Sequence, residues 1–197
     1  MGNTTKTAGI LAVQGDFDLH AKMLDHIGAP WRVVKHVCDL EKVDSLIMPG
    51  GESTTMLKLF TNEGMGVAIR EFAAQGKPVF GTCAGAILMA REVLGPPQDS
   101  LGLLDITVER NAYGRQIDSA VRSGDCPALA SHPIEMVFIR APIIRRTGEG
   151  VRVLGKADGL PVLVEQENLL AATFHPELTE DSTIHRYFLS KMDSSAR

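Results

Sequence analysis

The chain has 197 residues, 44% hydrophobic and 22% charged, with a net charge of −4. That length suits one compact domain spanning 1–197 rather than two, and an acidic balance offers no basic face for nucleic acid. No apolar run reaches membrane-span length, the first residues lack a signal-peptide pattern, and three cysteines without C-x-x-C spacing point to a reducing cytoplasm rather than to disulfides or zinc.

Short apolar runs alternate with amphipathic stretches through the first half, the pattern of β-α-β units around a parallel sheet. Residues 8–15 (AGILAVQG) read as a buried strand, 17–28 as a helix stopped at Gly28, 31–37 as a second strand and 44–51 (DSLIMPGG) as a third. Two helical pieces, 52–62 and 66–75, divide around Gly64, and 77–81 (KPVFG) is the strand that delivers Cys83. From Leu101 onward the stretches 101–111, 134–142, 151–159, 160–168 and 169–176 are rich in β-formers and are expected to add antiparallel or mixed strands to the sheet. Residues 119–133 read as a turn-rich surface excursion, 181–192 as a closing helix and 193–197 as a disordered tail.

The chemistry concentrates at VFGTCAGAILMA, where an apolar run ends in a Gly-x-Cys-x-Gly turn and enters a helix-like stretch. A cysteine at such a turn points its sulfur out of the backbone, and the start of a helix favours the thiolate. Downstream, AATFHPEL supplies His175 as acid and base, with Glu177 to orient it. Pro176 is expected to keep the backbone extended, so that residues 175 and 177 project to one side. A carboxamide attacked by Cys83 develops negative charge on oxygen, which the backbone N–H of Ala84 and the glycine turn at Gly50 and Gly51 would receive. The other histidines, His20, His26, His36, His132 and His185, show no ligand spacing, so neither a metal nor another cofactor is expected. Cys38 and Cys126 read as small buried hydrophobes, and Met48, Met56 and Met89 as core.

Taken together, LAVQGDFDLH, PGGESTTM (49–56), FGTCAG (80–85), ERNAYGRQ (109–116), FIRAP (138–142) and TFHPEL (173–178) resemble the class I (triad) glutamine amidotransferases, and more closely the glutaminase subunits of pyridoxal 5′-phosphate synthase, the PdxT/SNO family. The resemblance implies a three-layer flavodoxin-like α/β fold, with a mostly parallel central sheet, helices on both faces and added antiparallel strands. It makes Cys83, His175 and Glu177 the triad, and Gly51 and Ala84 the oxyanion donors. L-Glutamine would contact Gly51, Glu52, Ser53, Arg110, Ile139 and Arg140. Ammonia would pass to a (β/α)8-barrel synthase subunit, implied to form a dodecameric core, for vitamin B6 synthesis, and Gln14 would lie near that interface. Tyr113 departs from the phenylalanine expected there. A glutaminase of another synthase, such as imidazole glycerol phosphate synthase, a free-standing cysteine hydrolase and a silent assembly module remain alternatives. Ala84, where the hydrolase would have histidine, and the complete triad weigh against the last two.

Overall fold

The structure, a computed structural model, describes residues 6–12, 15, 17–111 and 119–194; Gln14 and Tyr113 lie outside the described residues. In chain order the elements are β1 (Ala8–Leu11), α1 (Phe17–His26), β2 (Trp31–Val34), β3 (Ser45–Met48), α2 (Ser53–Glu63), α3 (Met65–Ala74), β4 (Val79–Thr82), α4 (Ala84–Met89) and β5 (Ala90–Leu94), followed by β6 (Leu104–Glu109), β7 (Ser119–Gly124), β8 (Ile134–Ile139), β9 (Ile143–Thr147), β10 (Arg152–Ala157), β11 (Leu160–Gln166), β12 (Leu169–Ala172) and α5 (Thr183–Ser194).

Seven strands form the central sheet in the order β10-β11-β12-β4-β3-β1-β2. Pairing is parallel from β12 across to β2, and antiparallel where β11 and β10 extend the sheet. Because successive side chains on a strand point to opposite faces, the buried strand residues divide between two cores. Leu11, Leu46, Met48, Val79 and Ala171 meet α2, α3 and α4 through Met56, Phe60, Ile69, Phe72 and Leu88. Ile10, Ile47, Phe80, Leu170 and Ala172 meet α1 and α5 through Ala21, Leu24, Ile184 and Phe188 on the other face. Helices on both faces of a mostly parallel sheet make this the three-layer α/β fold expected from the sequence, and β4, bearing Cys83 at its end, is the middle strand.

Several details differ from the reading of the sequence. Strand β5 leaves α4 directly, without the glycine or proline that would announce it. It pairs with β6, and β6 with β9, in a separate three-stranded sheet rather than as additions to the central one. The excursion at 119–133 contains β7, which pairs antiparallel with β8 in a two-stranded ribbon. Its sequence SAVRSG looks like loop because the apolar face of the ribbon comes mainly from Ile134, Met136 and Phe138 of β8. Helix α5 runs two residues into the expected tail, through Asp193 and Ser194. Cys126 is buried as expected, whereas Cys38 is exposed, on a 3₁₀ segment (Val37–Lys42) that the sequence reading did not include. At the outer strand β10, register shifts flank Gly155, and an isolated bridge joins Lys156 to Asp125 just after β7.

Helix α4 sits very close to the strands beneath it. A methyl group on Gly85 would lie 2.1 Å from the Met48 carbonyl oxygen, and one on Gly81 would lie 2.6 Å from the Gly85 carbonyl carbon. Gly85→Ala should therefore lift α4 off the sheet and cost about 2–3 kcal/mol, read as a lower urea midpoint with an unchanged slope.

Candidate active site

Cys83 joins β4 to α4 with a backbone φ of 47°. Few non-glycine residues adopt such a positive φ, and the surroundings must hold it there. One restraint is the Cys83 N–H, which donates to the Ala172 carbonyl at 2.9 Å. That bond continues the parallel pairing of β4 with β12, whose last matched residues are Thr82 and Ala172. Chain leaving β12 therefore passes beside Cys83 and carries His175 with it. The His175 N–H is in turn anchored on the Val137 carbonyl of β8 at 2.8 Å.

His175 and Glu177 are both buried, with Nδ1 of the imidazole 2.7 Å from Oε1 of the carboxylate. The contact is the one expected, but its cause is different. Pro176–Leu178 is a 3₁₀ turn rather than extended chain, and the turn folds the carboxylate back onto the ring. Burial alone would lower the proton affinity of His175. The hydrogen bonds to Cys83 and Glu177 outweigh it and raise the imidazole from 6.5 to about 10. Glu177 is held below the usual carboxylate range although burial opposes ionisation, because the charges of His20 and His175 surround it.

The glycine turn after β3 closes the arrangement. A methyl on Gly50 would stand 2.4 Å from His175 Cε1 and 3.5 Å from Cys83 Cβ, so this backbone lies against both side chains. Gly51 has φ 152°, within the range that favours glycine. Ala84, the first residue of α4, has one of the N–H groups that a helix start leaves without an intrahelical acceptor.

In front of the sulfur is a cavity of about 320 Å³, at the small end of ligand-binding sites. Gly51, Glu52, Ser53, Arg110, Ile139 and Arg140 all line it together with Cys83 and His175. The ribbon contributes Ile139, whose carbonyl oxygen is 3.7 Å from Cys83 Sγ. Gln14 is outside the described residues, but its neighbour Gly15 lines the cavity and packs on the Gly50 carbonyl, which a side chain at position 15 would meet at 1.9 Å.

The family model for the SNO glutamine amidotransferase family matches residues 10–194. The chain belongs to this family. It is 52% identical over 192 residues to the pyridoxal 5′-phosphate synthase subunit PdxT of Solibacter usitatus, covering 95% of this chain and 100% of that one. The PdxT of Thermus thermophilus is 52% identical over 183 residues, covering 92% and 95%. A crystal structure of a glutamine amidotransferase superposes with a TM-score of 0.89 at 47% identity, covering 94% of this chain and 98% of that one. A glutamine amidotransferase from Thermotoga maritima shares the fold alone, with a TM-score of 0.64 at 12% identity, covering 98% and 84%.

Three residues of this family member's cavity were not singled out from the sequence: Gly15, Ile87 and Asn111. Asn111 has φ 54° and Arg140 φ 44°, so three of the five described non-glycine residues with positive φ, Cys83 included, stand around the cavity. Strain gathered in this way marks a site whose shape the fold imposes. A fourth residue acts from behind. Gln98 Oε1 accepts from Ser53 Oγ at 3.0 Å and from Arg110 Nη1 at 2.5 Å, tying the start of α2 to the arginine. Glutamine at position 98 carries no sequence signal, since it lies in a polar loop. It also borders a larger depression of about 780 Å³ between α2, α3 and residues 91–102, which contains neither Cys83 nor His175. Glu52 turns its carboxylate onto the N–H and hydroxyl groups of Thr54 and Thr55, which hold it down at about 2, and it reaches Arg110 Nη2 at 3.8 Å. It acts on the cavity as a helix cap and as a partner of the arginine.

Two substitutions test this geometry by steady-state glutamine hydrolysis. Gly50→Ala drives a methyl into the His175 ring and should lower kcat about a hundred-fold or more. Gln98→Leu releases Arg110 and Ser53 and should raise KM for glutamine about ten-fold, the scale of one hydrogen bond to a charged group, with kcat changed much less.

Proposed function

We propose that this chain is the glutaminase of a pyridoxal 5′-phosphate synthase, hydrolysing L-glutamine and handing ammonia to a (β/α)8-barrel partner in the cytoplasm. The observation that carries the reading is the buried His175–Glu177 pair beside a strained cysteine, facing a cavity with an arginine in its wall. The names of the PdxT relatives support the synthase as the destination of the ammonia. The residue roles rest on the geometry of this chain.

Glutamine enters with its α-carboxylate toward Arg110, whose planar guanidinium matches a carboxylate, and its carboxamide toward Cys83. Sγ attacks the carboxamide carbon, and the N–H groups of Ala84 and Gly51 receive the developing oxyanion. His175 passes a proton to the nitrogen, the C–N bond breaks, and ammonia leaves a glutamyl thioester on sulfur. Water then attacks the thioester with His175 as base, releasing L-glutamate and restoring the cysteine. Throughout, Glu177 keeps the ring oriented and stabilises its charged form. The proposed cycle uses no cofactor. Gln14, next to a glycine packed on the Gly50 carbonyl, is assigned to the face that meets the barrel subunit, where docking would adjust the oxyanion turn. The synthase core is assigned twelve barrel subunits.

The deciding experiment combines the chain with its barrel subunit, ribose 5-phosphate, glyceraldehyde 3-phosphate and amide-¹⁵N glutamine. The expected product is pyridoxal 5′-phosphate carrying ¹⁵N. Glutamate production without labelled cofactor would assign the ammonia to another synthase. Cys83→Ala should abolish hydrolysis while still docking, because a small side chain replaces a small one. Glu177→Gln should leave measurable turnover, slowed about ten- to a hundred-fold, since it removes an orienting group and not the nucleophile.

The pH dependence follows from the imidazolium. With His175 raised to about 10, its proton and the activity that needs it persist into the alkaline range and are lost as pH rises through that value. Removing the Glu177 carboxylate removes one cause of the rise, so Glu177→Gln should move the alkaline limb of the rate profile to lower pH. The same proton contributes stability, present in full below about 6.5 and lost toward about 10.

A further inference from the structure

Behind the triad, between the sheet and helices α1 and α5, are two histidines that the hydrolytic cycle does not use. His20 on α1 and His185 on α5 are fully buried. His20 Nε2 is 3.5 Å from Glu177 Oε2 and 3.2 Å from the Thr82 hydroxyl. On its other side, His20 Nδ1 is 3.0 Å from His185 Nε2. Glu177 uses Oε1 for His175, and among the described residues its buried Oε2 has no hydrogen-bond partner. His20 is the side chain that faces this oxygen.

An ionised carboxylate only accepts, so His20 supports Glu177 only in a form that carries a proton on the nitrogen facing it, and its contacts with Thr82 and His185 are compatible with that form. At 3.5 Å the contact is chiefly electrostatic, and it acts between fully buried side chains, where charges are weakly screened. Groups facing His20 among the described residues include Thr82 from β4, His185 from α5, and Glu177 from the turn after β12, with His175 beyond it. On α1 itself, Asp18, Lys22 and Asp25 are exposed. Burial, together with the charge of His20, pushes His185 down to about 3, so it is a neutral ring that can hold Nδ1 of His20 as donor or acceptor. Phe80 packs against both rings and restricts their rotation.

We propose that His20 is a positioning residue for the triad, holding the far oxygen of Glu177 with a protonated Nε2 so that the near oxygen remains on His175. The proposal rests on the triad reading above. Loss of this support frees the carboxylate to turn, weakening its hold on the imidazolium. A histidine kept only for packing would have none of these effects.

The test uses the wild-type chain, His20→Gln, which retains an N–H donor, and His20→Leu, which does not. Nitrogen-15 NMR of the wild-type histidine rings should show His20 protonated at Nε2; a bare Nε2 overturns the proposal whatever the variants do. In His20→Leu, the NMR titration of His175 should move down by about one pH unit, and kcat for glutamine with the barrel subunit should fall about ten-fold with KM within about two-fold. His20→Gln should recover most of both effects. An unchanged His175 titration in His20→Leu, a change in KM alone, or a loss of thermal stability without loss of kcat would each overturn it. Should His20→Leu not fold, the His20 tautomer in the wild-type chain decides. If the wild-type complex hydrolyses no glutamine, the functional reading fails, while the two NMR measurements still judge His20.

Discussion

The parallel pairing of β4 with β12 makes a site out of residues far apart in the chain. In the observed register Thr82 lies opposite Ala172 and Met48 of β3 opposite Gly81, so three strands end together. Their exits supply the cysteine, the histidine and the glycine turn, at the carboxyl end of the sheet where α/β folds bind ligands. A slip of one residue would reverse the face to which every side chain points. Tight backbone approaches at Gly81 and Gly85, and the Cys83 N–H bonded to Ala172, oppose such a slip and also hold the strained φ at Cys83.

Electrostatic order then follows from burial. The ionisable groups of Cys83, His175 and Glu177 are almost wholly out of water, where an unpaired charge is costly. Each finds its compensation in the next: sulfur with His175, His175 with Glu177, Glu177 with His20, and His20 with neutral His185. The line begins at the cavity and ends in the core between sheet and helices. Proton affinities along it are consequently interdependent.

Much of this was legible in the sequence because strong local signals coincide with the site. Alternating apolar and amphipathic runs identified the β-α-β half, and the glycine-flanked Cys83, the Gly50–Gly51 turn and the His175-Pro-Glu177 segment each carry punctuation that any reader of turns notices. What escaped depends on tertiary partners. Strand β5 follows α4 with no turn residue between them, and β7 has the composition of a loop until β8 lies beside it. His20 falls on an amphipathic helix where nothing distinguishes a buried histidine supporting a carboxylate from one that merely packs. Gln98 sits in a polar loop, and its importance comes from two side chains that reach it across space. Even the histidine–glutamate contact was anticipated for a different geometrical reason, since a 3₁₀ turn and an extended chain both bring residues two apart together.

The outer strands of the central sheet have a consequence for behaviour at high concentration. An open sheet is a template for another copy's strand, and long flat edges invite fibrillar growth. Here β2 is only four residues long and carries an exposed Arg32. At the opposite side, β10 is irregular around Gly155, and its Lys156 is already engaged by Asp125. Neither border offers a long straight ladder of free amides, so intermolecular sheet extension is disfavoured, and encounters with other chains are left to side-chain surfaces.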